Sequence, residues 1–194
     1  MKPLAMHEAS LAGHRLDRRR FLQRAALAAA MSLCPRAALT GAGGLQAPER
    51  SLAFYNTHTG ESLRAVYWVQ GHYLPEALAD VDYVLRDHRT DEVKPIDPPL
   101  LDLLHAIGAA LASRRPFYII SGYRSPATNA YLRFFDGGIA EHSMHMEGKA
   151  VDIRLPGCPC AHLRRVAIAL QGGGVGYYPR SNFVHIDVGR IRYW

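Results

Sequence analysis

Apolar and polar residues alternate one for one in two stretches of this chain, Ala150–Leu155 and Phe183–Val188. Side chains on a β-strand point to opposite faces in turn. The pattern therefore predicts two strands, each with an apolar face for a core and a polar face turned away from it. Val151, Ile153 and Leu155 share the first core face, and Val184, Ile186 and Val188 share the second. Asp152 and Arg154 on one strand, and His185 and Asp187 on the other, point the opposite way. Side by side in one sheet, the strands would aim Asp152 and His185 into one groove.

Other elements follow from periodicity and breakers. Ser51–Asn56 and Leu63–Gln70 flank Thr57-His58-Thr59-Gly60-Glu61, which predicts a hairpin closed by a glycine turn. Pro75 opens a helix to about Arg89, with Leu78, Val81 and Leu85 on one face; Pro98-Pro99 opens a second through Leu104 and Ile107 to about Ser113. Phe117–Ile120 is a short buried strand, and Pro126 starts a short helix over 127–135 that Gly137-Gly138 breaks. Ala161–Leu170 forms a helix, Gly172–Gly174 a turn and Val175–Tyr178 a strand. The expected fold class is α+β, a single domain with a central, mostly antiparallel sheet and flanking helices. Helices packed on one face would leave the other for a cleft. A length of 194 residues suits one such domain.

Charge matters only once it is divided. The chain has a formal charge of +6, but residues 1–42 hold seven of its 23 Lys/Arg and two of its 17 Asp/Glu, leaving 16 against 15 in the rest. A nearly neutral domain excludes nucleic-acid binding as the reading of the basic pI. The basic segment Asp17-Arg18-Arg19-Arg20-Phe21-Leu22 precedes an apolar run from Ala25 to Leu33. That run is too short for a permanent membrane span, and the two together read as an export signal. Paired arginines, one spacer and Phe-Leu are similar to a twin-arginine signal. The expected organisation is a signal peptide at 1–42 cleaved on export, a flexible linker at 43–50 and the folded domain at 51–194. Met31-Ser32-Leu33 before Cys34 lacks the small residue that lipidation wants. Cys158 and Cys160 are too few for a structural zinc site and read as two small loop residues, with pairing in an oxidising compartment left open.

The candidate chemistry is a metal centre. His145 and Asp152 lie in Ser143-Met-His-Met-Glu-Gly-Lys-Ala-Val-Asp152, and His185 lies on the later strand. Gly148, with no side chain, lets the chain bend back so that His145 enters the same groove. Two imidazoles and one carboxylate hold zinc with a coordination position open for water, whose pKa then falls toward about 7. A hydrolase needing no Ser or Cys nucleophile is the result. An iron oxygenase is the competing metal reading, since His185-Ile-Asp187 imitates a His-x-Asp pair, but no second histidine follows Asp187.

Ser-x-His-x-x-Gly-x-Ala-x-Asp at 143–152 with a downstream strand histidine resembles the M15 zinc peptidases, which act on bacterial cell-wall peptides and share the Hedgehog/DD-peptidase-like fold. Ser121-Gly-Tyr-Arg-Ser-Pro126, residues 173–187, the His58-Thr59-Gly60-Glu61 hairpin and Trp194 look like its murein endopeptidase K branch. The resemblance implies one Zn2+ on His145, Asp152 and His185, with Arg124 on the substrate's carbonyl oxygen or a nearby carboxylate. It implies Ser143 as support for the metal loop, and Tyr177, Tyr178 and Asn182 along a substrate cleft. It implies peptidoglycan cross-links as substrate: the bond between two diaminopimelate residues, or between D-Ala and diaminopimelate. A periplasmic location reached through the twin-arginine machinery completes the expectation. Carboxypeptidase action and a non-catalytic wall-binding module are the alternatives. Related enzymes place a base just before the last metal histidine, where this chain has Asn182 and Phe183. The base therefore stays open among Asp187, Glu141, His142 and Glu147, with Asp187 first because it shares a strand face with His185, where it could equally orient His185 or a water without moving protons.

Overall fold

The structure, a computed structural model, describes residues 48–136 and 139–194. The expected signal peptide, linker residues 43–47 and the Gly137-Gly138 break lie outside the described residues. Strand β1 begins at Glu49, inside the segment expected as linker, because Glu49 and Arg50 already pair with Val69 and Trp68.

Strands β1 (Glu49–Asn56), β2 (Ser62–Val69) and β3 (His72–Tyr73) lead into helix α1 (Pro75–Val84) and helix α2 (Pro98–Ala110). Strand β4 (Phe117–Ser121), helix α3 (Pro126–Asp136), a 3-10 turn (Met144–Glu147) and strand β5 (Ala150–Arg154) follow. Helix α4 (Cys160–Leu170) and strands β6 (Gly174–Tyr178), β7 (Phe183–Asp187) and β8 (Arg192–Tyr193) complete the chain. The eight strands form one sheet in the order β3-β2-β1-β4-β5-β7-β6-β8. Only the β1–β4 and β6–β8 pairings are parallel, so the sheet is mostly antiparallel, as the short turns imply.

Helices α1, α2 and α4 pack against the sheet, and their apolar residues join those of the strands in one core. Val151, Ile153, Val184 and Ile186 are fully buried there. Each such side chain contributes about 1.5–3 kcal/mol. A slip of one residue would turn all four into the polar groove, so the core itself sets the register of β5 on β7.

Two helices stop earlier than their periodicity suggests. Helix α1 ends at Val84, not Arg89, because the Leu85 carbonyl is taken by the Tyr123 N–H and residues 87–92 close a tight loop, Asp91 N–H to Asp87 O and Asp87 N–H to Glu92 O. Helix α2 ends at Ala110, where Ala112 enters the left-handed region (φ 48°) and the Ser113 N–H reaches back to the Gly108 carbonyl.

Candidate metal centre

The sheet register builds the centre. Ser121, Asp152, His185 and Gly176 lie directly opposite one another on the four adjacent strands β4, β5, β7 and β6. A register irregularity between Ile119 and Ser121 adjusts β4 to meet this row. His145 arrives from the 3-10 turn, whose start is capped by Ser143 Oγ accepting the His145 N–H at 3.4 Å. Gly148 ends that turn at φ 69°, and a Cβ there would sit 2.3 Å from the Pro95 carbonyl. The bend expected at this glycine is therefore present, and only glycine fits it.

His145 Nε2, His185 Nδ1 and Asp152 Oδ1 converge. The nitrogens are 3.1 Å apart, and they lie 3.3 and 2.8 Å from the carboxylate oxygen. Behind each ring sits a group that can only accept. The Gly122 carbonyl is 2.7 Å from His145 Nδ1, and Asp187 Oδ2 is 3.0 Å from His185 Nε2. Each neutral ring therefore carries its proton on the nitrogen turned away from the groove and directs its lone pair inward. Three acceptors facing one point need a cation between them. Their spacing is that of ligands sharing an ion at about 2.0–2.2 Å. All three residues are buried, as a metal site shielded from bulk water requires.

The electrostatics say the same. Burial works to raise the Asp152 carboxyl, but the charge and hydrogen bonds of His145 and His185 hold it far below the usual carboxylate range. Burial likewise opposes charge on His185, yet its contacts with Asp152 and Asp187 push it up to about 9. His145 is pulled down by burial despite Asp152.

Asp187 holds His185 from behind. It is fully buried, and Oδ1 accepts from Gly174 N, Gly189 N and Arg192 at 3.2, 2.8 and 3.1 Å. Oδ2 accepts from His185 and, at 2.8 Å, from Arg192. Burial raises its carboxyl, but these donors pull it well below its ordinary value. Five hydrogen bonds engage the two Asp187 oxygens, and the residue is not among those lining the cavity, an arrangement that matches the orienting role expected for it as an alternative to proton transfer.

Arg124 lies beside the centre and lines the cavity. It is 8% exposed at the side chain, 3.6 Å from Asp152 Oδ2 and 3.5 Å from Ser121 Oγ, and its buried Nε has no partner among the described residues. Burial lowers its pKa, against the attraction of Asp152. An under-bonded guanidinium beside a cation site is set to receive an anion or a polarised carbonyl.

A cavity of about 520 Å³ opens over the centre, lined by Ser143, Tyr178, Phe183, Trp194 and others. Trp194 lies over Gly176, where a Cβ would meet the indole at 2.7 Å, and its Nε1 donates to the Tyr178 hydroxyl at 3.0 Å. Two residues expected along the cleft are elsewhere. Tyr177 faces the core, one step out of phase with Tyr178, with the Arg164 guanidinium 5.3 Å from its ring. Asn182 is a turn residue (φ 54°) whose Oδ1 accepts from the Cys160 thiol at 3.2 Å. Of the remaining candidate bases, Glu141 pairs with Arg133 and Glu147 with Lys149 in exposed positions; His142 alone lines the cavity. Sequence reasoning missed His88, Arg89, Leu132, Met144 and Arg192, which the folded loops bring to the cavity wall.

The family model described as peptidoglycan L,D-endopeptidase MepK, Peptidase_M15_2, matches residues 45–194. The chain belongs to this M15 peptidase family. Among similar proteins, the peptidoglycan L,D-endopeptidase MepK of Escherichia coli strain K12 is 44% identical over 145 residues, covering 75% of this chain and 80% of that protein. The probable peptidoglycan L,D-endopeptidase MepK of Haemophilus influenzae is 37% identical over 180 residues, covering 92% of this chain and 95% of that protein. No solved structure matches. M15 peptidases are metal-dependent, and the His145–Asp152–His185 set is a donor group that fits a metal. As a member of the M15 family the protein is an enzyme, a peptidase. Among the described residues, no helix is long and apolar enough to cross a membrane.

Proposed function

We propose that this peptidase is a zinc-dependent murein endopeptidase that hydrolyses L,D peptide cross-links of peptidoglycan. The observation carrying the reading is the convergence of His145 Nε2, His185 Nδ1 and Asp152 Oδ1, with an acceptor oxygen behind each imidazole. Those residues would hold the ion. Zinc bound there supplies Lewis acidity, polarising the scissile carbonyl and acidifying water. Arg124 receives the carbonyl oxygen and stabilises the negative charge that grows on it as the amide is attacked. Asp187 and Arg192 keep His185 in its orientation, and Ser143 keeps the His145 turn in place. His142 takes the proton from the attacking water and returns it to the leaving amine, so amide plus water becomes carboxylate plus amine. Tyr178, Phe183 and Trp194 wall the cleft from solvent. The twin-arginine-like leader directs the protein to the periplasm, where its substrate lies.

The test is incubation of the purified protein with defined cross-linked muropeptide dimers, with zinc, with a chelator and with zinc restored, reading products by mass. Cleavage that is lost on chelation and regained with zinc is expected, and His145→Ala should abolish it; full activity of that variant would overturn the reading. Among the described residues, Asp152 is the one carboxylate lining the cavity and belongs to the ligand set, which favours a second reading, a wall-binding module without hydrolysis. Sedimentation with insoluble sacculi and no soluble products would support that one.

A further inference from the structure

The cavity wall beside the metal centre is built from two loops that the peptidase chemistry above does not use. The hairpin turn at 57–61 and the loop at 85–92 are clamped by Arg86, whose guanidinium bonds Glu61 at 2.7 and 3.2 Å, Asp91 at 3.1 Å and the Tyr83 carbonyl at 2.9 Å. His58 and His88 stack across the same seam, with ring centroids 3.8 Å apart and planes within 1°. His58 Nε2 lies 3.1 Å from the Ile120 carbonyl, tying the stack to β4. Buried Asp87 bonds the N–H groups of Arg89 and Ser125 at 2.9 and 2.8 Å, which fixes this wall to the Arg124 loop.

Arg89 stands on that wall and lines the cavity, yet its guanidinium makes no hydrogen bond or ion pair among the described residues. Arg86, three residues earlier, is saturated. The cavity lining holds three arginines, Arg89, Arg124 and Arg192, and one carboxylate, Asp152, which the metal would neutralise. Arg192 is already committed to Asp187. Arg124 lies 3.6 Å from Asp152, which leaves Arg89, exposed at the cavity mouth, as the guanidinium there with no ion-pair partner among the described residues; its charge adds to the burial that depresses Arg124. Burial, His58 and Arg89 push His88 down to about 4, so the stacked pair is not two cations pressed together.

We propose that Arg89, backed by the His58–His88 stack, is a specificity residue that binds a free carboxylate of the substrate, the one on the carbon next to the scissile amide nitrogen. This rests on the endopeptidase reading. A diaminopimelate-type cross-link carries such a carboxylate, and a cross-link ending in a carboxamide does not. A planar guanidinium on a clamped loop suits bidentate recognition of that group.

Two synthetic dimers, identical except for a free carboxylate or a carboxamide at that carbon, test it with the zinc-loaded protein. The wild type should favour the free acid by about 10- to 100-fold in kcat/KM, mainly through KM. In Arg89→Gln the ratio between the two dimers should collapse toward one, and Arg89→Lys should restore part of it, with zinc content and thermal midpoint unchanged. An Arg89→Gln variant that slows both dimers equally, or a wild type indifferent to amidation, would overturn the proposal. If the wild type cleaves neither dimer, the endopeptidase reading fails on its own. Calorimetric binding of the free-acid dimer then decides the subsite: tighter binding by wild type than by Arg89→Gln supports it, and equal binding sinks it.

Discussion

Replacing Asp187 by Asn should weaken metal binding without touching a ligand. The carboxylate accepts two backbone N–H groups at Oδ1, from Gly174 and Gly189, and His185 at Oδ2. An asparagine has one acceptor oxygen, and the two backbone donors retain it on their side. Its NH2 group must then face His185 Nε2, which can no longer donate. The imidazole answers by moving its proton to Nδ1, the atom that lies 2.8 Å from Asp152 in the groove. A metal must displace that proton before it can bind. Loss of such a supporting carboxylate costs about 10- to 100-fold in metal affinity, equivalent to about 1.4–2.7 kcal/mol. Competition against a chromophoric chelator measures the affinity, and thermal unfolding of the metal-free protein measures the separate loss of charge-assisted hydrogen bonds, about 1.5–3 kcal/mol. Zinc affinity within twofold of wild type would refute the tautomer argument. Unchanged affinity with a lost limb in the pH–rate profile would return Asp187 to a proton-transfer role.

Other substitutions separate the parts of the site. Arg124→Lys should lower kcat by about 10- to 1000-fold and leave zinc affinity unchanged, because one donor point replaces a fork; steady-state kinetics with metal analysis checks both. Gly148→Ala should cost more than about 1–2 kcal/mol in thermal unfolding and displace His145, since the left-handed backbone and the Pro95 carbonyl both exclude a Cβ. Burial favours protonation of Asp87, but hydrogen bonds from Thr128, Arg89 N–H and Ser125 hold its folded pKa at about 2, against an ordinary 3.8. Its contribution of about 2 kcal/mol is therefore present above pH 4 and lost as pH falls through 2. The stability gap between wild type and Asp87→Asn, measured by denaturant titration, should narrow over that range.

The metal set was readable because β5 and β7 are short strands with strict alternation. Val151 and Ile153 announce the inward face, so Asp152 must point out, and Val184 and Ile186 do the same for His185. The same rule, applied to Tyr177 and Tyr178, separates them, since only one of two neighbours can face the cavity. Asp187 was assigned to the correct face, but the five hydrogen bonds that engage it come from Gly174, Gly189, Arg192 and His185 and exist only in the folded chain. The end of α1 was hidden for a similar reason. Val81, Val84 and Leu85 keep a helical rhythm, and the Tyr123 N–H that captures the Leu85 carbonyl comes from far along the sequence. By periodicity Arg89 is only the approximate end of the first helix. A clamp between two distant loops makes it a cavity residue.

Strands β5 and β7 carry the core on one side and the ion's ligands on the other. Their assembly is thus checked twice by one alignment. A chain that paired these strands one position out would bring greasy side chains to the cleft and have nothing with which to grip a cation. Metal binding would then act as a proofreading signal, marking only correctly threaded molecules as competent for hydrolysis.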